Sequence, residues 1–175
     1  MKPLLRRTTL LHALFRPILL LLLSSSSLLL IVVVVDLAVV PCPIRYGVAD
    51  LATLAGDTHK FESRYLDSLV GRWPEDAATY KARAPIEKVD DFSCPVLFLH
   101  GDEDKIVPPN QATLMHAALK AKGLPTALRM YEGEQHGFRK TANIQDALNS
   151  ELAFYAAVFK FTPAGEVPSF PIDNL

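Results

Sequence analysis

From about residue 46 to residue 161, short apolar runs alternate with stretches in which apolar residues recur at helical spacing. Residues 95–100 (Pro-Val-Leu-Phe-Leu-His) form a continuous apolar run that stops at Gly101, the pattern of a strand buried on both faces of a parallel sheet. From Asn110 to Lys122, Ala112, Met115 and Leu119 fall on one face, and Gly123 and Pro125 follow. That predicts a helix with a glycine stop. Thr126 to Tyr131 reads as the next strand. A last helix is predicted from Ile144 to Phe161, with Ala147, Leu148, Leu152, Tyr155, Ala156 and Phe159 at helical spacing. Upstream, Pro74 opens a weaker helix over residues 75–82, and residues 162–175 read as a proline-rich irregular tail. Strand, helix, strand, helix in that order predicts a β-α-β unit on a parallel sheet.

Residues 1–45 have a different texture. Between Arg16 and Asp36 lie 19 uncharged residues, PILLLLLSSSSLLLIVVVV, after a basic stretch, close to the ~20 residues with which a helix crosses hydrocarbon. Membrane contact through residues 17–40 is therefore expected if the segment is an anchor, with residues 1–16 on the cytoplasmic side. A signal peptide and a translated simple nucleotide repeat are the alternatives. The chain is expected to be membrane-anchored in the first case and cytoplasmic otherwise. Three regions follow: the basic and apolar segment 1–45, a folded portion 46–161 and the tail 162–175.

Charge narrows the function classes. The 175 residues carry a net charge of −1, but five of the six charges in residues 1–45 are basic, so the rest holds 18 Asp plus Glu against 13 Lys plus Arg. This offers no basic patch to phosphates, and no nucleic-acid partner is expected. Cys42 and Cys94 lie 52 positions apart, without a C-x-x-C or a His at ligand spacing. They read as buried or incidental thiols, and neither a metal nor a cofactor is indicated. The oligomeric state is left open.

Functional groups of open parallel sheets gather in loops after the carboxyl ends of strands. Two such loops carry suitable residues: His100-Gly101-Asp102-Glu103-Asp104-Lys105-Ile106-Val107-Pro108 and Gly133-Glu134-Gln135-His136-Gly137-Phe138. A carboxylate and an imidazole on successive loops can meet. A hydrolase uses such a pair to make a hydroxyl nucleophilic, the acid fixing the tautomer while His moves the proton.

Three separated strings, GVADLATLAGDTHKFESRYLDSLVG, HGDEDKIVPPNQA and GEQHGFRK, resemble the C-terminal end of the peptidase domain of the prolyl oligopeptidase family, in its acylaminoacyl-peptidase-like or dipeptidyl-peptidase-like branch. The likeness runs from about Tyr46 to Phe161. It implies part of an α/β-hydrolase fold, the C-terminal half of a parallel sheet with flanking helices, in a family whose peptidase domain usually follows a β-propeller. It also implies a peptide substrate and a triad in the chain order Ser, Asp, His. The family pattern H-G-x-x-D-x-x-V-P selects Asp104 rather than Asp102 or Glu103, and G-E-x-H-G-F selects His136.

The family's nucleophile sits in G-x-S-x-G on a strained turn, and no such motif occurs in the 175 residues. The turn is expected about 20 to 30 residues before Tyr46, where Ser24 to Ser27 stand in a run without glycine. Of the other residues, His100 reads as a packed or hydrogen-bonded strand end, and Asp102 and Glu103 as solvent-facing. The string from His59 to Tyr65 reads as structural, with Glu62 and Arg64 each needing a partner elsewhere. Phe138 and Trp73 read as packing residues, with pocket lining as the alternative. Two functions compete: a C-terminal portion of a serine peptidase that keeps Asp104 and His136 but is inactive alone, and a membrane-anchored, non-catalytic module or relic of the same fold that binds a partner through the sheet edge and pocket left by the absent half. An ordinary esterase of the same fold is a third.

Overall fold

The computed structural model describes residues 40–57 and 64–175. Apart from Val40, the expected membrane segment lies outside the described residues, as do residues 59–63 of the His59–Tyr65 string. Among the described residues no helix is long and apolar enough to cross a membrane.

Among the described residues, three parallel strands form one sheet in the order β1 (Cys42–Arg45), β2 (Val96–Gly101), β3 (Thr126–Tyr131). β1 thus lies inside the stretch that the sequence groups with the apolar segment, and it pairs with β2 from Cys42↔Val96 to Arg45↔Leu99. β2 is buried along its whole length. Its side chains alternate between faces as strand geometry requires. Val96 and Phe98 meet Ala112, Met115 and Leu119 of α4 (Asn110–Lys122), while Leu97 and Leu99 meet Ala127, Ala147 and Phe154 on the face covered by α5 (Thr141–Phe159). Each fully buried Leu or Phe removed from water contributes about 1.5 to 3 kcal/mol, so the apolar run at 95–100 acts as the centre of both half-cores. A third cluster, Leu54, Leu66 and Tyr80, joins α1 (Leu51–Asp57), α2 (Tyr65–Leu69) and α3 (Ala77–Arg83).

The helix ends have local causes. At the end of α4, Gly123 takes φ 87°, and Leu124 N–H donates to Leu119 O at 3.1 Å, the left-handed stop that glycine makes cheap. α3 begins at Ala77, later than Pro74 suggests, because residues 73–76 form a turn in which Asp76 N–H donates to Arg72 O at 2.7 Å. α5 runs from Thr141 to Phe159 rather than from Ile144 to Phe161. Lys140 supplies its extended start, and Lys160, at φ 58°, ends it. Its predicted apolar face also divides: Ala147 and Ala156 are buried together with Phe154, whereas Leu148 is 53% exposed. α5 is apolar on more than one side, and the sheet covers one of them.

Residues 162–175 have no helix or strand of their own, yet they are packed. Phe170 and Ile172 lie against the α5-side core. Asp173 pairs with Thr126 at the start of β3, exchanging N–H···O bonds of 3.0 and 2.8 Å. Asn174 Nδ2 donates to Lys120 O and Leu124 O, which caps α4. Cys42 is exposed and Cys94 half-buried, both as free thiols.

Candidate active site

The loops after β2 and β3 are joined before any side chain is considered. Asp102 N–H donates to Tyr131 O at 3.2 Å, and Glu103 N–H to Glu134 O at 3.0 Å. Gly133 N–H donates to Asp102 Oδ1 at 2.7 Å. The approach is so close that a Cβ on Gly101 would lie 2.3 Å from Glu134 O. Only glycine fits there.

Within this frame Asp104 is 2% exposed. Its Oδ1 accepts the N–H groups of Ile106 and Val107, each at 2.9 Å. Its Oδ2 lies 2.9 Å from His136 Nδ1. A carboxylate only accepts, so Nδ1 carries the hydrogen and Nε2 is left for another partner. The His136 side chain is 36% exposed, so the acid is dry and the imidazole reaches solvent. The structure therefore brings together the carboxylate and the imidazole that the sequence singled out.

The neighbouring candidates are placed elsewhere. His100 is buried, and its Nε2–H donates to Val107 O at 2.8 Å, with Asp104 Oδ2 3.5 Å away. It props the Asp104 loop, in line with the packed reading. Asp102 and Glu103 are exposed, Asp102 serving the loop junction described above. Phe138 packs between Tyr46 and Tyr131, with ring centroids 5.1 and 4.6 Å away. Trp73, 41% exposed, lies tilted at 57° to Tyr80 with ring centroids 5.2 Å apart; both residues make packing contacts. Arg64 approaches Asp67 at 4.0 Å, with its side chain 91% exposed, a pair worth little in water.

Three residues that sequence reasoning passed over support the site. Glu134 is buried, and its carboxylate accepts Arg139 N–H at 2.8 Å, Lys140 N–H at 2.9 Å and Asn143 Nδ2–H at 2.9 Å. It closes the His136 loop onto the start of α5. Burial alone would raise the Glu134 carboxyl. The Arg139 N–H, the Asn143 amide, the Lys140 N–H and the Lys140 charge outweigh it and hold the group below its ordinary value. Gln111, also buried, accepts the N–H groups of Ala49 and Asp50 at 2.9 and 2.8 Å and so ties α4 to the segment after β1. Tyr46 stands at φ 55°, a conformation that is uncommon outside glycine and costs about 1 to 3 kcal/mol. Its hydroxyl oxygen accepts Phe138 N–H at 2.7 Å, and its ring centroid lies 5.1 Å from that of His136. Burial pushes its phenol above the usual value, against the Phe138 N–H, which lowers it. Glu134 was legible as part of G-E-x-H-G-F. Nothing in the sequence marked Tyr46 or Gln111.

His136 also stands at the rim of a cleft of about 620 Å³ whose walls include Val48, Leu51, Leu54, Leu66, Ile106 and Val107. The cleft can take an apolar group beside the imidazole. Among the described residues no group of three or more His, Cys, Asp or Glu is placed to hold a metal ion.

The geometry can be set beside known proteins. The chain is 30% identical over 119 residues to the esterase LipQ of Mycobacterium tuberculosis, an alignment that covers 66% of this chain and 28% of that protein. It superposes on a puromycin-hydrolysing peptidase of Mycobacterium tuberculosis with a TM-score of 0.69 at 40% identity, covering 74% of this chain and 20% of the other. A puromycin hydrolase gives a TM-score of 0.70 at 41% identity, with 75% and 20% covered. The chain thus spans about a fifth of the peptidases and under a third of the esterase. The three parallel strands and their helices are part of an α/β-hydrolase fold. Residues 43–162 match the sequence profile of the prolyl oligopeptidase family. With both loops and the strands between them inside that match, this chain is a member of the prolyl oligopeptidase family.

Proposed function

We propose that this chain carries the acid–base half of a serine hydrolase acting on peptides. Asp104 orients and steadies His136, and His136 Nε2 would take the proton of a serine hydroxyl as it attacks the carbonyl, then return it to the leaving amine. One observation carries the reading: the 2.9 Å contact from His136 Nδ1 to a buried Asp104 carboxylate whose other oxygen is saturated by two backbone N–H groups. The apolar cleft beside His136 is where the side chain of the acyl residue would sit. No G-x-S-x-G occurs in the 175 residues, so on this reading they lack the motif that carries the family's nucleophile and are expected to be inactive alone by this route.

A fluorophosphonate probe tests the inactivity. No covalent labelling of the folded chain is expected, and labelling that disappears in His136→Ala would contradict it. A chimera tests the acid–base assignment. When residues 43–162 replace the matching part of a puromycin hydrolase, peptide hydrolysis should survive, and Asp104→Ala or His136→Ala should each lower kcat by about a thousandfold or more. The similarity to an esterase favours a second reading, with an ester as the bond broken. Comparing a peptide anilide with a nitrophenyl ester on the same chimera separates the two.

A further inference from the structure

We infer that Tyr46 is a positioning residue for His136, acting through the backbone of Phe138; this rests on the reading of Asp104 and His136 given above. The geometry makes the need visible. Asp104 holds His136 through one contact at Nδ1, and a single hydrogen bond leaves an imidazole free to swing about that contact. The residue after His136 is Gly137, at φ 110°, a backbone without the restriction a Cβ imposes. Two restraints are therefore required, one on the ring and one on the chain beyond the glycine.

Tyr46 supplies both. Its ring is tilted 52° to the His136 ring at 5.1 Å, and it lies edge-on to Phe138, also at 5.1 Å. Its hydroxyl oxygen accepts the N–H of Phe138, the first anchored group after Gly137. It also contacts His100, ring centroids 6.1 Å apart, so one side chain touches both the imidazole and the prop of the Asp104 loop. Glu134 holds the next two N–H groups, of Arg139 and Lys140. Phe138 also packs on Tyr131, and Gly137 bridges to Gln135, but among the described residues Tyr46 is the side chain that meets both the His136 ring and the Phe138 N–H. The backbone conformation fits this assignment: a non-glycine residue at φ 55° persists where its surroundings determine it, and such positions gather at functional sites.

The test is the exchange of the His136 Nδ1–H proton with solvent, followed by NMR on the labelled full chain. In Tyr46→Phe the ring stays and the acceptor is lost. Exchange should quicken about tenfold, the scale of one net hydrogen bond, while the folded spectrum persists. Tyr131→Phe, which removes a hydroxyl bonded to Asp146 on the α5 side, should leave that proton unchanged. A Tyr46→Phe chain that is folded and exchanges within twofold of wild type overturns the inference, as does an equal response to Tyr131→Phe. If Tyr46→Phe does not fold, 3-fluorotyrosine at position 46, a weaker acceptor of the same size, should quicken exchange in the same direction, and an unchanged rate overturns the inference. A wild-type chain with no protected Nδ1–H contradicts the Asp104–His136 reading itself and the Tyr46 assignment with it; a protected proton that ignores Tyr46 contradicts only the latter.

Discussion

Two aspartate–histidine pairs stand at opposite ends of β3 and behave as different devices. After the strand, Asp104 is buried and His136 is 36% exposed, 2.9 Å apart. Before it, Asp173 Oδ2 meets His116 Nε2 at 3.1 Å, while Asp173 Oδ1 meets Lys120 Nζ at 2.7 Å, and both members of that pair are part-exposed. In the first pair one oxygen of the acid accepts two backbone N–H groups and the other meets His136 Nδ1 at 2.9 Å, with His100 Nε2 farther away at 3.5 Å, which leaves His136 Nε2 clear of the acid. In the second the acid is shared with a lysine, the bonded nitrogen is Nε2 itself, and the backbone of Asp173 closes the sheet edge onto Thr126. A short Asp–His distance alone does not mark a proton shuttle. The proposed shuttle rests on a dry acid, a solvent-reaching base and a second nitrogen turned away from that acid.

Perturbing the two ends should separate them, beginning with the strongest case. Asp104→Ala leaves the Ile106 and Val107 N–H groups and His136 without their acceptor, and should cost about 3 kcal/mol in urea unfolding. Gly101→Ala forces a Cβ against Glu134 O. About 2 kcal/mol is expected, together with loss of the protected His136 proton, because the loops are pushed apart. Glu134→Gln should cost about 1 kcal/mol and flatten the acid limb of the stability profile. Glu134 is held below its ordinary value near 4.5. Its stabilisation is therefore complete above that value and lost as pH falls through the lower folded one, and the glutamine variant should lack that part of the slope. Asp173→Asn should have the smallest effect, since a solvent-exposed pair contributes little, with the His136 spectrum unchanged. A comparable disturbance of His136 would show that the two ends are coupled after all.

Much of the fold was legible because β2 announces itself. A short run of consecutive apolar residues ending in glycine can satisfy both faces of a sheet, and α4 and β3 followed from their periodicity and stops. The limits of α5 were not legible, since Thr141 to Asn143 offer one small apolar residue, Ala142, which is exposed. The helix begins there because Glu134 gathers the N–H groups of Arg139 and Lys140 and the Asn143 amide. The packed tail was hidden for a similar reason: its proline-rich composition suggests irregularity, whereas Phe170, Ile172 and Asp173 find partners distant in sequence. At the site, the motif spacing pointed to Asp104 and His136, but spacing says nothing of Tyr46, whose role depends on three rings and one backbone N–H meeting in space.

The neutral tautomer of His136 tests the central claim most directly, read from long-range proton–nitrogen NMR correlations of the full chain at a pH where the imidazole is uncharged. The account predicts hydrogen on Nδ1 and a bare Nε2. A His136 with its hydrogen on Nε2 would mean that Asp104 does not hold it, and the proton-shuttle reading would fail.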